Sequence, residues 1–362
     1  MTTPEQNTDV ADGSEETDAK QNEPKKPRRR WRRAKLTAVV VIGIVAVVAI
    51  VGSITPWPSA MVIRAVFTQG GDATASEMEA HVPETKLTET LDVAYDDDGA
   101  DTTMDVFTPE SATGPLPTIV WIHGGAWISG SKENVDPYMR ILAAEGYTTI
   151  AVNYTIGPEG FYPTAVNQLN TALGYINDNA ATLGVDPTQI VLAGDSAGSQ
   201  LASQLATLIT SPDYAAIMDV TPTLKPEQVI ATVLNCGVYD LSALAALDGI
   251  VGWGLKSSMW AYTGTRTWAE DASGATMSTV NWVTEEFPTT YISGGNGDGL
   301  TWLQSIPMAD RLTELGVDVT TQFWPANHEP ALPHEYQFHL DMPDAQTALQ
   351  KTIDFLNAHT TH

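Results

Sequence analysis

The chain has 362 residues, of which 43% are hydrophobic, so it is long and apolar enough to build one large domain. Its formal net charge is −26, although the first 35 residues hold 9 of the 18 Lys and Arg and only 7 of the 44 Asp and Glu. The rest is therefore strongly acidic, which argues against nucleic acid as a partner. The single cysteine, Cys236, excludes an intramolecular disulfide, and its apolar neighbours indicate a buried small side chain.

The polar N-terminal segment, residues 1–33, is predicted to be a disordered cytoplasmic tail. Residues 36–54 read LTAVVVIGIVAVVAIVGSI, an uncharged run that is long enough to cross a bilayer as a helix. Eight Lys and Arg lie just ahead of this run, between residues 25 and 35. Because positive residues stay cytoplasmic, we predict a transmembrane helix over 34–55 that anchors the protein in the cell membrane, with the later domain outside. A cleaved signal peptide is the alternative.

Residues 56–85 are predicted to be a connector, and residues 86–362 a globular domain. In that domain, short apolar runs typical of strands alternate with stretches of helical spacing. The predicted strands are 91–93, 103–107, 117–122, 148–153, 189–193, 229–235, 289–293 and 317–323, and the predicted helices are 163–181, 197–209, 308–315 and 345–357. This alternation predicts an α/β domain with a mostly parallel sheet covered by helices, and the first two strands suggest a hairpin. Residues 239–287, rich in Trp and Tyr, break the pattern and suit an inserted lid.

The sequence GDSAG at residues 194–198 stands between a predicted strand and a predicted helix. G-x-S-x-G alone is a weak signal, but in this setting it is typical of a nucleophilic serine held on a sharp strand-to-helix turn. The N-terminus of the helix also favours a developing negative charge. We therefore predict Ser196 as a nucleophile, with the backbone N–H of Ala197 contributing to an oxyanion hole.

The sequence HGGAW at residues 123–127 directly follows the predicted strand 117–122. Acyl transfer creates an oxyanion, and backbone N–H groups aimed at it stabilise the transition state. Paired glycines let the backbone approach that oxygen closely, so Gly124 and Gly125 are the predicted donors. His123 is expected to brace the loop rather than to act as a base.

A nucleophilic serine needs a basic histidine and an orienting carboxylate, and in this class of fold they follow the serine in the order acid, then histidine. The loop GGNGDGL after the strand 289–293 offers Asp298 as the acid. Asp240, after an earlier strand, is the alternative acid, although its setting (YDLS) is more typical of a helix cap.

The base should lie between the last strand and the closing helix. His328 and His334 both fall in that loop, and His334 is favoured because it lies closer to the closing helix. His328 remains the alternative base. His339, a little further on, fits a structural role.

Together these motifs resemble the hormone-sensitive-lipase-like carboxylesterases of the α/β-hydrolase superfamily. HGGAW, GDSAG and D-G-L followed by a late histidine carry the likeness, and NYTIGPEGFYP at 153–163 is similar to that family's YRLAPE…P segment. The likeness covers about residues 86–360 and implies an α/β-hydrolase fold. The chain departs from the family in three places. Ala126 stands where many members have a third glycine, and the loop with the histidine is longer than usual. The family's cap is often N-terminal, whereas here the N-terminal region leads to the predicted transmembrane helix.

The resemblance implies hydrolysis of a small-molecule or lipid ester through an acyl-enzyme. No cofactor or metal is expected, because the sequence has neither an H-E-x-x-H motif nor a Cys/His cluster. A serine peptidase or acyl-peptide hydrolase is a second hypothesis, but such relatives usually carry a large extra domain. A third is an inactive, surface-displayed binding domain of the same fold, which a degenerate triad would mark.

Overall fold

A computed structural model describes residues 28–97, Gly99 and 101–361 of the chain. It divides into two compact units, with the boundary between Ile50 and Val51. The greater part of the predicted disordered tail, residues 1–27, lies outside the described residues. The first helix, α1 (Arg28–Ile54), begins ahead of the predicted start at 34, because its Arg and Ala residues are good helix formers that extend the apolar run. Among the described helices, this one alone has a segment, Lys35–Ile54, long and apolar enough to cross a membrane.

The other helices are α2 (Trp57–Glu79), α3 (Asp136–Ala144), α4 (Thr164–Asp178), α5 (Ala180–Leu183), α6 (Ala197–Thr210), α7 (Pro212–Met218), α8 (Leu241–Ala245), α9 (Gly249–Thr263), α10 (Ala272–Met277), α11 (Ile306–Glu314) and α12 (Pro343–His359). The strands are β1 (Leu87–Ala94), β2 (Thr103–Pro109), β3 (Leu116–Ile122), β4 (Thr148–Val152), β5 (Val185–Asp195), β6 (Val229–Asn235), β7 (Thr289–Gly294) and β8 (Val319–Phe323).

The eight strands form one sheet in the order β1-β2-β4-β3-β5-β6-β7-β8. β1 and β2 form the predicted antiparallel hairpin, and β2 also pairs antiparallel with β4. All other neighbours are parallel, which confirms the predicted mostly parallel sheet. The carboxyl ends of β3, β5, β6 and β7 consequently meet at one edge, where ligand sites of such sheets form.

The inner strands β3, β4, β6 and β7 are buried on both faces, and this explains their continuous apolar runs, whereas the edge strands β1 and β8 are largely exposed. In β3, Val120 and Ile122 pack into the core cluster that contains residues of α4, α6 and α11. Ile119 and Trp121 point the other way, into the cluster that contains residues of α3 and α12. Helices therefore cover the sheet on both sides, as the alternating pattern predicted.

Most of the predicted connector at 56–85, for which the sequence indicated no structure, is the helix α2. One turn of α2 places Ala60 and Ile63 in a small core cluster with Ala126, Ile128 and Ala261. α2 belongs to the compact unit 51–362, so the domain begins well before the predicted residue 86. Only two side chains of α2's first half are buried, too few to stand out in the sequence as a core-facing stripe.

The predicted lid region, 239–287, contains α8, α9 and α10. Part of its aromatic content is ordinary core, since Tyr262 and Trp268 are buried. Tyr262 stacks on Trp127 of the HGGAW loop with ring centroids 5.8 Å apart. Trp253, by contrast, is 48% exposed. The region therefore packs over the glycine-rich loop at the carboxyl edge of the sheet.

Candidate active site

Ser196 lies on the sharp turn between β5 and α6. Its backbone has φ 50° and ψ −116°, a conformation that is costly for a residue with a Cβ and typical of functional sites. The backbone N–H of Ser196 donates to the carbonyl of Asn235 at 2.8 Å, which holds the turn against β6. A Cβ on Gly198 would collide with the carbonyl of Ile122, so only glycine allows α6 to start this close to β3.

The structure brings the predicted serine, acid and histidine into one hydrogen-bonded chain. Nε2 of His334 lies 2.9 Å from Oγ of Ser196, and Nδ1 of His334 lies 2.7 Å from Oδ2 of Asp298. The other oxygen of Asp298 accepts the backbone N–H of Leu300 at 2.9 Å, which fixes the buried carboxylate. The three side chains come from the loops that follow β5, β7 and β8.

The charges around His334 favour its protonated form. Burial by itself lowers the pKa of the imidazole, but the hydrogen bond to Asp298 and the negative charge of Glu335 outweigh it and raise the pKa to about 9. The imidazole is therefore largely protonated at neutral pH and becomes a free base only as the pH approaches 9.

His328, the alternative base, is placed elsewhere. Its Nε2 lies 3.1 Å from Oδ2 of Asp344 on α12, and its ring packs on Trp324 with centroids 4.3 Å apart. The geometry therefore puts His334, and not His328, beside Ser196.

Asp240, the alternative acid, and His339, for which a structural role was expected, also lie away from the serine. Oδ1 of Asp240 accepts the backbone N–H of Ser242 at 2.8 Å, which caps α8 as its setting suggested. Nδ1 of His339 lies 3.0 Å from Oε2 of Glu77, so His339 ties the histidine loop to α2. Both residues have structural partners that account for them.

The prediction of Gly124 as an oxyanion donor needs correction. Its backbone N–H donates to Oδ2 of Asp195 at 2.8 Å and is therefore engaged. The N–H groups of Gly125 and Ala126 have no acceptor within the described part of the chain. Ala197 is the first residue of α6, where a backbone N–H has no partner in its own helix.

Ala126 is a candidate donor that sequence reasoning did not name. Ala126 has φ 53° and Trp127 has φ 60°, so the loop holds two residues with side chains in the left-handed region. Such strain is held in place by the surrounding structure and is typical of functional loops. One feature of the sequence could have indicated Ala126 as a candidate donor: it stands where many members of the resembled family have a third glycine.

His123 stays neutral and packs beneath the loop. Burial lowers its pKa to about 4. Its Nδ1 lies 2.9 Å from the carbonyl oxygen of Gly124, and its ring stacks on Tyr154 at 4.4 Å. These contacts fit the expected bracing role.

One group of side chains offers metal-ligating atoms. Atoms of Cys236, Asp298 and His334 lie within 4.8 Å of one another. Burial raises the pKa of the Cys236 thiol well above its usual value, and Sγ lies 3.1 Å from Oε1 of Gln337, to which the thiol donates. Asp298 and His334 already bind each other, so their contacts are accounted for without an ion.

The fold and the serine turn define this protein as an α/β-hydrolase. The BD-FAE family model matches residues 104–312, more than half of the chain, and the chain therefore belongs to that family. The match runs from β2 into α11 and contains Ser196 and Asp298.

Curated relatives agree with the predicted resemblance. A segment of 128 residues is 35% identical to carboxylesterase NlhH of Mycobacterium tuberculosis, covering 35% of this chain and 40% of NlhH. A segment of 142 residues is 30% identical to the acetyl esterase of Salmonella typhi, covering 39% of this chain and 40% of that enzyme. The chain thus spans less than half the length of these relatives.

Solved structures extend the likeness of the fold over most of the chain. Esterase B from Lactobacillus Rhamnosis (HN001) superposes with a TM-score of 0.69 over 83% of this chain and 96% of its own, at 23% identity. An esterase from Pyrobaculum calidifontis gives a TM-score of 0.65 over 83% of this chain and 92% of its own, at 19% identity. At these identities the likeness concerns the fold.

Proposed function

We propose that this protein is a serine carboxylesterase in which Ser196 is the nucleophile, His334 the general base and Asp298 the residue that orients the base. The observation that carries the proposal is the continuous hydrogen-bonded chain from Ser196 Oγ through His334 to Asp298 at the strained turn. A serine becomes a strong nucleophile only when such a base stands within hydrogen-bond reach.

In the first half of the reaction, Nε2 of His334 takes the proton of Ser196 while Oγ attacks the ester carbonyl carbon. Backbone N–H groups of Gly125, Ala126 and Ala197 hold the oxyanion that forms. The imidazolium then gives its proton to the leaving alcohol, and an acyl-enzyme remains. Asp298 accepts the Nδ1 proton and keeps the correct tautomer of His334 throughout.

In the second half, water attacks the acyl carbon while His334 again acts as the base. Collapse of the second tetrahedral intermediate returns the proton to Ser196 and releases the carboxylic acid. The proposed substrate is a small-molecule or lipid ester, which the names of the relatives, carboxylesterase and acetyl esterase, support.

We further propose that α1 anchors the enzyme in the cell membrane with its N-terminus in the cytoplasm. The apolar length of Lys35–Ile54 and the basic residues that precede it support this topology. Carbonate extraction of membranes and the mass of the mature chain test it. A chain that begins after residue 54 would show a cleaved signal instead.

Hydrolysis of p-nitrophenyl esters from acetate to laurate tests the activity. The wild type and Ser203→Ala should turn over at least one ester, whereas Ser196→Ala should be inactive. Ser203 is a matched control, since it is a buried serine on the same helix whose hydroxyl donates to the carbonyl of Gln200. Turnover that survives in Ser196→Ala, or no turnover of any ester by the wild type, would overturn the proposal.

A further inference from the structure

Two carboxyl groups meet at Gly124, next to the triad. Oδ1 of Asp195 accepts the indole N–H of Trp121 at 2.8 Å, and Oδ2 accepts the N–H of Gly124 at 2.8 Å. A Cβ built on Gly124 would collide with Asp195 Oδ2 and lie 3.0 Å from Oε1 of Glu335. Asp195 and Glu335 thus both approach the same face of one glycine of the oxyanion loop.

Glu335 also approaches the reacting nitrogen of His334. Its Oε1 lies 3.7 Å from Nε2, the same atom that lies 2.9 Å from Ser196 Oγ. Glu335 has the left-handed φ of 58°, and its backbone N–H points to Sγ of Cys236 at 3.4 Å. This backbone conformation allows the side chain that follows His334 in sequence to lie beside the imidazole.

The two carboxyl groups cannot both be charged at low cost. Asp195 is 4% exposed, and its described hydrogen bonds come from neutral N–H donors. Burial, and then the charge of Glu335, raise the pKa of Asp195 well above its usual value. Of the two carboxyls, Asp195 is therefore the one whose charged form the surroundings disfavour.

We propose that Glu335 is a positioning residue which, paired with Asp195, stabilises the imidazolium of His334 during acyl transfer and links it to the oxyanion loop through Gly124. The inference rests on the proposed esterase mechanism. The pair takes no proton from the reaction: the Ser196 proton moves to His334 Nε2 and on to the leaving group.

The groups that face His334 divide between its two nitrogens. Asp298 binds Nδ1, and Glu335 lies beside Nε2 with Asp195 behind it. Cys236, which follows β6, contributes a buried thiol. Glu335 therefore adds negative charge on the side of the imidazole where the proton arrives, a place that Asp298 does not reach.

The experiment is an NMR titration of the full chain in detergent, labelled with ¹⁵N-histidine, with the His334 signals assigned through His334→Gln. In Glu335→Gln the pKa of His334 should fall by roughly one to three units, the effect of removing an opposite charge at this range. Glu329→Gln is the matched control, since Glu329 is an exposed glutamate of the same loop. In this control the pKa of His334 should equal the wild-type value. A Glu335→Gln titration that coincides with this control would overturn the inference.

Kinetics add a reading that a purely structural residue would not produce. In Glu335→Gln, the acid limb of the kcat/KM profile should move to lower pH together with the pKa of His334 measured by NMR. In Glu335→Asp, which keeps the negative charge, the pKa of His334 should return part of the way to the wild-type value. If Glu335→Gln does not fold, Glu335→Asn decides by the same titration, because Asn also removes the charge and tolerates the left-handed backbone at this position. A pKa of His334 that equals the control value in that variant would equally overturn the inference. The titration needs no turnover, so it tests the electrostatic role of Glu335 even if the wild type hydrolyses no ester. An inactive wild type would refute the esterase proposal alone.

Discussion

In the loop between β8 and α12, both candidate bases, His328 and His334, bind a carboxylate, yet only one of them lies beside the serine. His334 lies 2.7 Å from Asp298, and His328 lies 3.1 Å from Asp344. The opposite nitrogen of His334 faces Ser196, whereas the ring of His328 packs on Trp324. A histidine–carboxylate pair is therefore not by itself a sign of catalysis, and the difference lies in what each ring meets on its other side.

The two pairs also differ in how far along the chain their partners lie. Asp344 is 16 residues from His328, so that contact joins the loop to the start of its own following helix. Asp298 and Ser196 are 36 and 138 residues from His334, and they come from other strands of the sheet. The local pair holds the loop in place, while the long-range pair depends on the whole sheet.

Removing each ring in turn should separate the pairs most strongly. His334→Ala should lower kcat by at least about 10⁴-fold, because Ser196 loses its base. His328→Ala should leave kcat near the wild-type value. Steady-state hydrolysis of p-nitrophenyl acetate measures both, and an equal loss in the two variants would contradict the assignment of the base.

Neutralising each carboxylate should give the next largest contrast. Asp298→Asn should reduce kcat by about 10⁴-fold, because an amide no longer selects the tautomer that leaves Nε2 free to accept a proton. Asp344→Asn should be close to wild type in the same assay. A large loss in Asp344→Asn would show that the His328 pair also supports the reaction.

The pH profile should report His334 alone. The base must be neutral to take the serine proton, and the pKa of His334 is raised to about 9. Activity should therefore increase about tenfold per pH unit below 9 and level off above it. A profile of kcat/KM from pH 6 to 10 measures this limb. A plateau already reached at neutral pH would show that His334 is not held in its protonated form.

The smallest expected effect is on stability. His328→Ala removes a partly exposed ion pair and a ring contact with Trp324, and should lower the free energy of unfolding by about 1 kcal/mol. Urea unfolding in detergent, followed by circular dichroism, measures the change against the wild type. An unchanged midpoint would mean that the His328 pair does not stabilise the loop.

Local sequence determined most of the sheet and the nucleophile turn. The strands β3, β5 and β6 are buried on both faces, so their apolar runs were visible without any partner. Ser196 was also visible, because its strand, its turn and its helix are consecutive in the chain. A pattern that depends only on neighbours in sequence can be interpreted from the sequence alone.

The tertiary structure decided the rest, because each remaining feature depends on residues far apart in the chain. α2 is recognisable as part of the domain only through its packing on Ala126 and Ala261, and Gly124 is lost as a donor only because Asp195 occupies its N–H. Local sequence only favoured His334 over His328, through its position nearer the closing helix. His334 is placed beside Ser196 because the carboxyl ends of the strands lie at one edge of the sheet. The same arrangement places Glu335 beside the imidazole.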